Sequence, residues 1–504
     1  CWRRWLLGLS QQSKCEPELG LTPSIRLLDI ALAFLLGLFL FSACFRGGNV
    51  PSVVSAATVI ASLVFLAVAW LTVAHTAPTP VRAPTLLIVA ALLLISTVGA
   101  IGWLQFDAVR WLGFPGRAYY RDVVQTLSEP PFSRGAFALS MDPQGTGYSI
   151  MVAISCVAVA VGTSRISARL LRLLLGAFCT LVIFEAVLGL LQLALGSPSF
   201  LAFGEAIGVQ RAAGTFVNKN HYATLLAMAL PLLIMRASGR LHFGVSEQSS
   251  TVRDVWWGLA TALVVVALVS SVSRAGASAG ALAATLAIFA CRVGATASRA
   301  RIASALLALL VIAVVLPTGL SMMLKSIDGD ALTQSAEGRA ALNRLTYAAA
   351  KEFFPVGAGL GSYSIAFQRF QNAQLPGYVE HAHNDYLQLL FELGGSGLIV
   401  LALLIVATLI TARTCYRAWR ASGQLASFAF ACLSGVVAFS FHAWFDFPAH
   451  IPALAWVVTM LAVASTRPDM QPINLADQST VSRRRRKRSP SGPSDDASPT
   501  SATA

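Results

Sequence analysis

The run His381-Ala382-His383-Asn384-Asp385 closes a long polar loop and leads into an apolar segment that continues to about Ile410. Two imidazoles, an amide and a carboxylate therefore meet a membrane surface, and Glu392 follows about two helical turns beyond His383 at about 1.5 Å rise per residue. An imidazole exchanges protons near neutral pH, so a membrane enzyme would keep its polar chemistry here. Arg211 stands in Arg-Ala-Ala-Gly-Thr-Phe-Val-Asn-Lys-Asn-His-Tyr, at the mouth of an apolar segment at 221–236. A guanidinium suits bidentate recognition of phosphate, and Asn218, Asn220 and His221 can donate hydrogen bonds beside it; alternatively, Asn220 caps the helix. Arg274 lies in Ser-Ser-Val-Ser-Arg-Ala-Gly, a tight turn between two apolar segments. Buried there it needs an anionic partner; exposed, it snorkels to lipid headgroups. His442, Asp446 and His450 are spaced i, i+4, i+8, which on an unbroken helix would form a metal-binding face, but Pro448 and Pro452 interrupt such a helix. His381 and His383 have a spacing that zinc accepts, yet no third ligand accompanies them. No metal and no other cofactor is expected.

These residues must be positioned by membrane-spanning helices. The chain has 504 residues, 56% of them hydrophobic and only 12% charged, too apolar for a soluble protein of that length. Twelve segments approach the roughly 20 apolar residues that a span needs: 27–45, 52–74, 84–104, 148–164, 168–196, 221–236, 254–272, 276–292, 302–319, 388–411, 424–441 and 451–466. The expected fold is an all-α polytopic bundle. With both termini inside, 24 of the 37 Lys and Arg fall on the inner side, as the positive-inside rule asks. The expected organisation is an inner segment at 1–26, spans at 27–319, an outer loop at 320–387, spans at 388–466, and a basic, disordered inner tail at 467–504. The outer face then carries loops 105–147, 197–220 and 320–387 and the His442–His450 turn, and with them all the polar motifs. Within 320–387, Leu342, Leu345, Ala348, Ala349 and Phe353 recur at helical spacing, so 336–354 reads as an amphipathic helix that Pro355 stops. It lies on the membrane surface or caps the bundle.

The net charge of +14 sits in clusters beside apolar segments and in the 483–488 run, which fits membrane topology and anionic lipid rather than nucleic acid. The eight cysteines show no CxxC spacing, so neither a disulfide framework nor a structural zinc site is indicated. The first apolar segment lacks a small-residue cleavage site and reads as a retained span.

His383-Asn384-Asp385-Tyr386-Leu387-Gln388, with Glu392-Leu393-Gly394 and Gly397, resembles the signature of the O-antigen ligase and Wzy-type O-antigen polymerase superfamily. The Arg211 stretch, the Ser273-Arg274 turn, Ser140-Met141-Asp142-Pro143 and His442-Ala-Trp-Phe-Asp446 resemble further features of it, so that the likeness runs from roughly 130 to 455. The resemblance implies a glycosyltransferase at the outer face of the bacterial inner membrane. It would move a glycan from a polyprenyl-pyrophosphate carrier to an acceptor hydroxyl, on lipid A–core in a ligase, on another carrier-linked glycan in a polymerase, or on a protein in an oligosaccharyltransferase. A lipid-linked glycan transporter or flippase is the reading from a different class. Under the resemblance, His383 is the base that takes the acceptor proton, Asn384 and Glu392 orient it, Arg211 and Arg274 bind the donor pyrophosphate, and Asn220, His381, His442 and Asp446 support the site. Similar enzymes use no metal.

Three features remain, of which the first resembles a turn in the superfamily's loop pattern Pro-x-Gly-x-Gly-x-Gly. Gly357-Ala-Gly359-Leu-Gly361 follows a helix and Pro355 rather than a strand, which argues against a dinucleotide loop. Arg339, Arg344 and Arg369 read as solvated positions in preference to contacts with glycan or lipid headgroups. Glu185 lies within an apolar segment, where it needs a partner or a proton, and nothing nearby in sequence supplies one.

Overall fold

The computed structural model describes residues 23–42, 50–74, 81–103, 140–196, 211–244, 251–292, 329–372, 375 and 377–470. The span expected at 302–319, most of loop 105–147, residues 197–210 and the basic tail lie outside the described residues. Among the described residues the structure is 81% helical and without strands, and each of the other eleven expected spans coincides with a helix. In chain order these are α1 (Pro23–Phe41), α2 (Pro51–Ala74), α3 (Ala83–Trp103), α4 (Pro143–Arg165), α5 (Ala168–Ala194), α6 (Lys219–Ala237), α7 (Thr251–Ser270) and α8 (Arg274–Arg292). After the loop helix α9 (Gly329–Phe353) come α10 (Asp385–Ser422), α11 (Phe428–His442) and α12 (Pro452–Thr466). Seven of the described helices (α2, α3, α4, α5, α7, α8 and α10) are long and apolar enough to cross a membrane.

Helix α6 is the axis of the site. Its residues from His221 to Leu233 are buried without a break, and it packs against α5, α7, α8, α11 and α12. Without a hydrophobic driving force between helices in lipid, small residues permit the close approach that makes such packing favourable. At Gly276 a Cβ would stand 2.4 Å from the Cβ of Ala223, so α8 crosses α6 at a distance that only glycine permits.

Helix α10 departs from the expected single span. Gly394 takes φ 54° and ψ −128° inside it, which breaks the 38 residues into a short helix, 385–393, and a longer one, 395–422. The break has a cause in the preceding loop: Gly395 N donates to Pro355 O at 2.7 Å, and Gly359 N to Glu392 O at 2.9 Å. The glycine-rich stretch thus docks on the break, and its far side holds α4. Met141 N donates to Ala358 O at 3.0 Å, Thr146 Oγ1 donates to Leu360 O at 2.5 Å, and Asp142 caps α4 by accepting from Gln144 N and Gly145 N.

Helix α9 packs on α10 and starts seven residues earlier than expected. Its buried stripe is Ala341, Leu342, Thr346, Ala349, Ala350 and Phe353; Ala348, expected on that face, is exposed, because the stripe advances by three and four residues through Thr346. Phe353 and Tyr363 both meet the ring of Phe391 edge-on, at 5.2 and 5.0 Å, and Thr346 and Tyr363 share a 2.7 Å hydrogen bond. The short first part of α10 is therefore held from two sides.

Candidate functional site

The start of α10 and the turn after α11 face each other, and two Asp–His pairs join them. In the first, His383 Nδ1 lies 3.0 Å from Asp446 Oδ1; the imidazole side chain is 38% exposed and the carboxylate 1%. Burial by itself would raise the pKa of Asp446, but the His383 hydrogen bond and the imidazoles of His221, His383 and His442 hold it well below the usual carboxylate range. An ionised Asp446 accepts, so Nδ1 of His383 carries the hydrogen and Nε2 keeps a free lone pair. His383 is one of two described non-glycine residues with positive φ, at 49°, a conformation that persists only where the surroundings enforce it. Asp385 N donating to Ala443 O at 2.9 Å and Ala382 N donating to Gln388 Oε1 at 3.1 Å do so from either side.

In the second pair, His450 Nδ1 lies 2.8 Å from Asp385 Oδ1, while Asp385 Oδ2 accepts Ala449 N at 2.9 Å. Burial opposes a charge on His450, yet hydrogen bonds and charge from Asp385 and Glu392 outweigh it and push its pKa up to about 10. Gln388 Nε2 has three neighbours for its two hydrogens: Glu392 Oε1 at 3.0 Å, His381 Nδ1 at 3.2 Å and His450 Nε2 at 3.0 Å. A protonated His450 has no lone pair to offer, so the amide serves Glu392 and His381, and His450 Nε2 faces Glu392 Oε2 at 4.0 Å. Phe447 is the apolar hub between the pairs. His381 stacks on it at 4.0 Å, and His221 and His383 meet it edge-on at 4.7 and 4.9 Å. His381 is held well below its ordinary pKa, by burial first and then by the neighbouring imidazoles, and so stays neutral. Five of the seven histidines of the chain gather here.

A cationic patch adjoins this cluster. Lys219 Nζ donates to Val272 O at 2.8 Å and Ser273 Oγ to Asn220 Oδ1 at 2.7 Å, which ties the start of α6 to the turn that carries Arg274. Ala212 N donates to Ser270 O at 2.9 Å and brings Arg211 to the same turn. Burial, and then the charges of Arg211, Arg274 and Arg339, push the pKa of Lys219 down to about 8. Four half-buried cations this close repel one another, so an anion seated among them would be strongly favoured.

Of the expected site residues, the structure therefore gathers His383, Asp446, His381 and His442 in one cluster and Arg211, Arg274 and Asn220 in the adjoining patch. Asn384 caps α10, accepting from Tyr386 N and Leu387 N at 3.1 and 3.2 Å. Glu392 accepts from Gly361 N at 2.7 Å and from Gln388, so it holds the glycine-rich loop to α10. The cap of α6 is Asn218, not Asn220; adjacent asparagines leave that choice to geometry. Arg339 joins the cationic patch rather than solvent, whereas Arg344 is exposed and Arg369 lies 3.7 Å from Glu352. Glu185 has its partner in Thr215, whose N and Oγ1 donate to it at 2.9 and 2.8 Å; it pins the loop that begins with Arg211. Asp385, Gln388, His450 and Phe447 carry the second pair and the hub; the clustered acidic and imidazole side chains were the signal for Asp385 and His450, and Gln388 and Phe447 had none of that kind. Among the described residues no three His, Cys, Asp or Glu side chains are arranged to hold a metal ion.

Residues 259–402 match a family model described as O-antigen ligase, which supports the O-antigen ligase superfamily for this chain. The match covers α8, α9, the glycine-rich loop, His381, His383 and the Gly394 break. No curated protein matches the chain.

Proposed function

We propose that this chain transfers a glycan from a polyprenyl-pyrophosphate carrier to an acceptor hydroxyl, as an O-antigen ligase-like enzyme of the inner membrane with its site on the periplasmic face. The observation that carries the reading is the half-exposed imidazole of His383, hydrogen-bonded to a buried, ionised Asp446 beside a patch of Arg211, Lys219, Arg274 and Arg339. Nε2 of His383 takes the proton of the acceptor hydroxyl while that oxygen bonds to the anomeric carbon of the donor glycan. The bond from that carbon to the pyrophosphate oxygen breaks, and the cationic patch stabilises the polyprenyl pyrophosphate that leaves. Asp446 fixes the tautomer and balances the imidazolium, in the way a carboxylate orients a catalytic histidine. Asn384 and Glu392 act one step back, by capping α10 and by anchoring the loop behind it. The excess of Lys and Arg on the side of the termini supports the placement of this cluster outside, with 1–26 and 467–504 inside and 320–387 as an outer loop.

The test is incubation of the purified protein with a labelled polyprenyl-pyrophosphate glycan, with and without lipid A–core. Label moving to lipid A–core establishes the ligase. A ladder of longer carrier-linked glycan without that acceptor makes the chain a polymerase, and label on an added acceptor protein an oligosaccharyltransferase. Absence of any transferred label, with label instead crossing the bilayer of proteoliposomes, overturns the enzyme in favour of a flippase.

A further inference from the structure

Three buried polar atoms beside the His383–Asp446 pair have no hydrogen-bond partner among the described residues: Asp446 Oδ2, His442 Nε2 and His221 Nε2. The residues are 0%, 0% and 5% exposed, and a buried polar group left unpaired costs about 1–3 kcal/mol. They are near enough that the charge of Asp446 acts on both histidines. Asp446 follows His442 by four residues through the turn after α11, in which Phe445 N donates to His442 O at 2.8 Å. His221 comes from α6 and rests on the ring of Phe447, next in sequence to Asp446.

The positions of the hydrogens follow from the donors available. Thr224 Oγ1 lies 2.8 Å from Asn220 O and 2.6 Å from His442 Nδ1. Its single hydrogen must point at the carbonyl, which can only accept; Nδ1 of His442 therefore carries a hydrogen and donates to Thr224. That leaves His442 Nε2 as a bare lone pair. Asp446 Oδ1 already accepts from His383 Nδ1 and from Phe447 N at 3.0 Å each, and its other oxygen is an anionic acceptor facing no donor. Two unpaired acceptors and one imidazole nitrogen call for a small molecule that donates twice and accepts once.

We infer that Asp446, His442 and His221 hold one buried water, which donates to Asp446 Oδ2 and His442 Nε2 and accepts from His221 Nε2–H. Buried waters with three such bonds are structural parts of a protein. This water completes the shell of the carboxylate, so that Asp446 stays ionised and aimed at His383; His442 and His221 become positioning residues for the base. The site itself stands without the proposed reaction, while the positioning role rests on it. The groups facing Asp446 are His383 from the loop, His442 from α11, His221 from α6 and the carboxylate of Asp385 at the start of α10, with Arg339 of α9 acting on His442 and His450 on His221.

An experimental structure of the full chain, at a resolution that shows ordered waters, tests the site whether or not the chain transfers glycan. The expected result is one density peak at hydrogen-bond distance, about 2.7–3.2 Å, from all three atoms. A site without density while other buried waters are seen overturns the inference, as does a peak at metal-ligand distance, about 2.0–2.2 Å. The positioning role is read from the pH profile of kcat in His442→Phe, measured on the folded fraction. Without the water, Asp446 leans harder on His383 Nδ1–H and favours the imidazolium, so the acid limb moves to higher pH with KM for the donor unchanged. A uniform loss with the limb unmoved overturns the role. Should His442→Phe fail to fold, His221→Phe gives the same readout.

Discussion

The two Asp–His pairs join the same two stretches of chain, 383 reaching to 446 and 385 to 450, yet their surroundings separate them. His383 shows 38% of its side chain to solvent and has one carboxylate, whereas His450 shows 23% and lies between two, Asp385 at 2.8 Å and Glu392 at 4.0 Å. The second pair is therefore a fixed ion pair, locked by burial and by a charge that neutral pH does not remove. The first is a partly exposed imidazole hydrogen-bonded to a single buried carboxylate. Under the proposed function the base and a fixed ion pair sit within a few residues of each other; what separates them is how many carboxylates each imidazole meets and how much of it reaches solvent.

That contrast is broken most severely from the side of the reactive pair. Asp446→Asn keeps the shape but lets the wrong tautomer of His383 form, and is expected to lower kcat about a thousandfold with little change in thermal stability. Equal losses in activity and stability would make both pairs structural. Arg274→Ala removes a cation from the patch and is expected to weaken transfer about a hundredfold, chiefly in kcat, because leaving-group charge develops in the transition state. Steady-state rates over a range of donor concentrations give the division between kcat and KM. Asp385→Ala should show the opposite signature. It leaves a buried imidazolium without its closest carboxylate and is expected to cost about 3 kcal/mol of stability, read by thermal melting, with activity falling mainly in step with the folded fraction.

The second pair also has a pH signature. The pKa of His450 is raised in the folded state, to about 10, above the ordinary value of about 6.5. Its contribution to stability is thus complete below about pH 6.5 and disappears as pH rises towards 10. Melting temperatures of the wild type should fall across that window more steeply than those of His450→Phe, and parallel curves would deny the ion pair. At the small end, Arg344→Ala touches only an exposed position and should change stability by less than about 0.5 kcal/mol and transfer not at all, against which Arg339→Ala, in the cationic patch, should raise KM for the donor.

Much of this arrangement was legible in the sequence, for identifiable reasons. Apolar runs fixed the helices because a bilayer sets their length, and the clustered histidines with Asn384, Asp385 and Glu392 marked the site. What stayed hidden depends on contacts far apart in the chain: His383 and Asp446 are 63 residues apart, and no local spacing says which carboxylate meets which imidazole. The break at Gly394 was hidden for the same reason, since it is made by Pro355 and Gly357 pressing on α10; a Cβ there would stand 2.3 Å from Pro355 O. Glu185 in an apolar helix announced a need for a partner, and only the fold brought Thr215 to it. Arg339 read as solvated because helical spacing places a residue on a face but does not say what that face meets.

The most direct test of the central claim is the rate at which purified His383→Ala, matched to wild type for folded protein, moves labelled glycan from polyprenyl pyrophosphate to its acceptor. No transfer above background, with the melting temperature within a few degrees of wild type, is the expected result. Transfer within tenfold of wild type would remove His383 from the chemistry and with it the distinction between the two pairs.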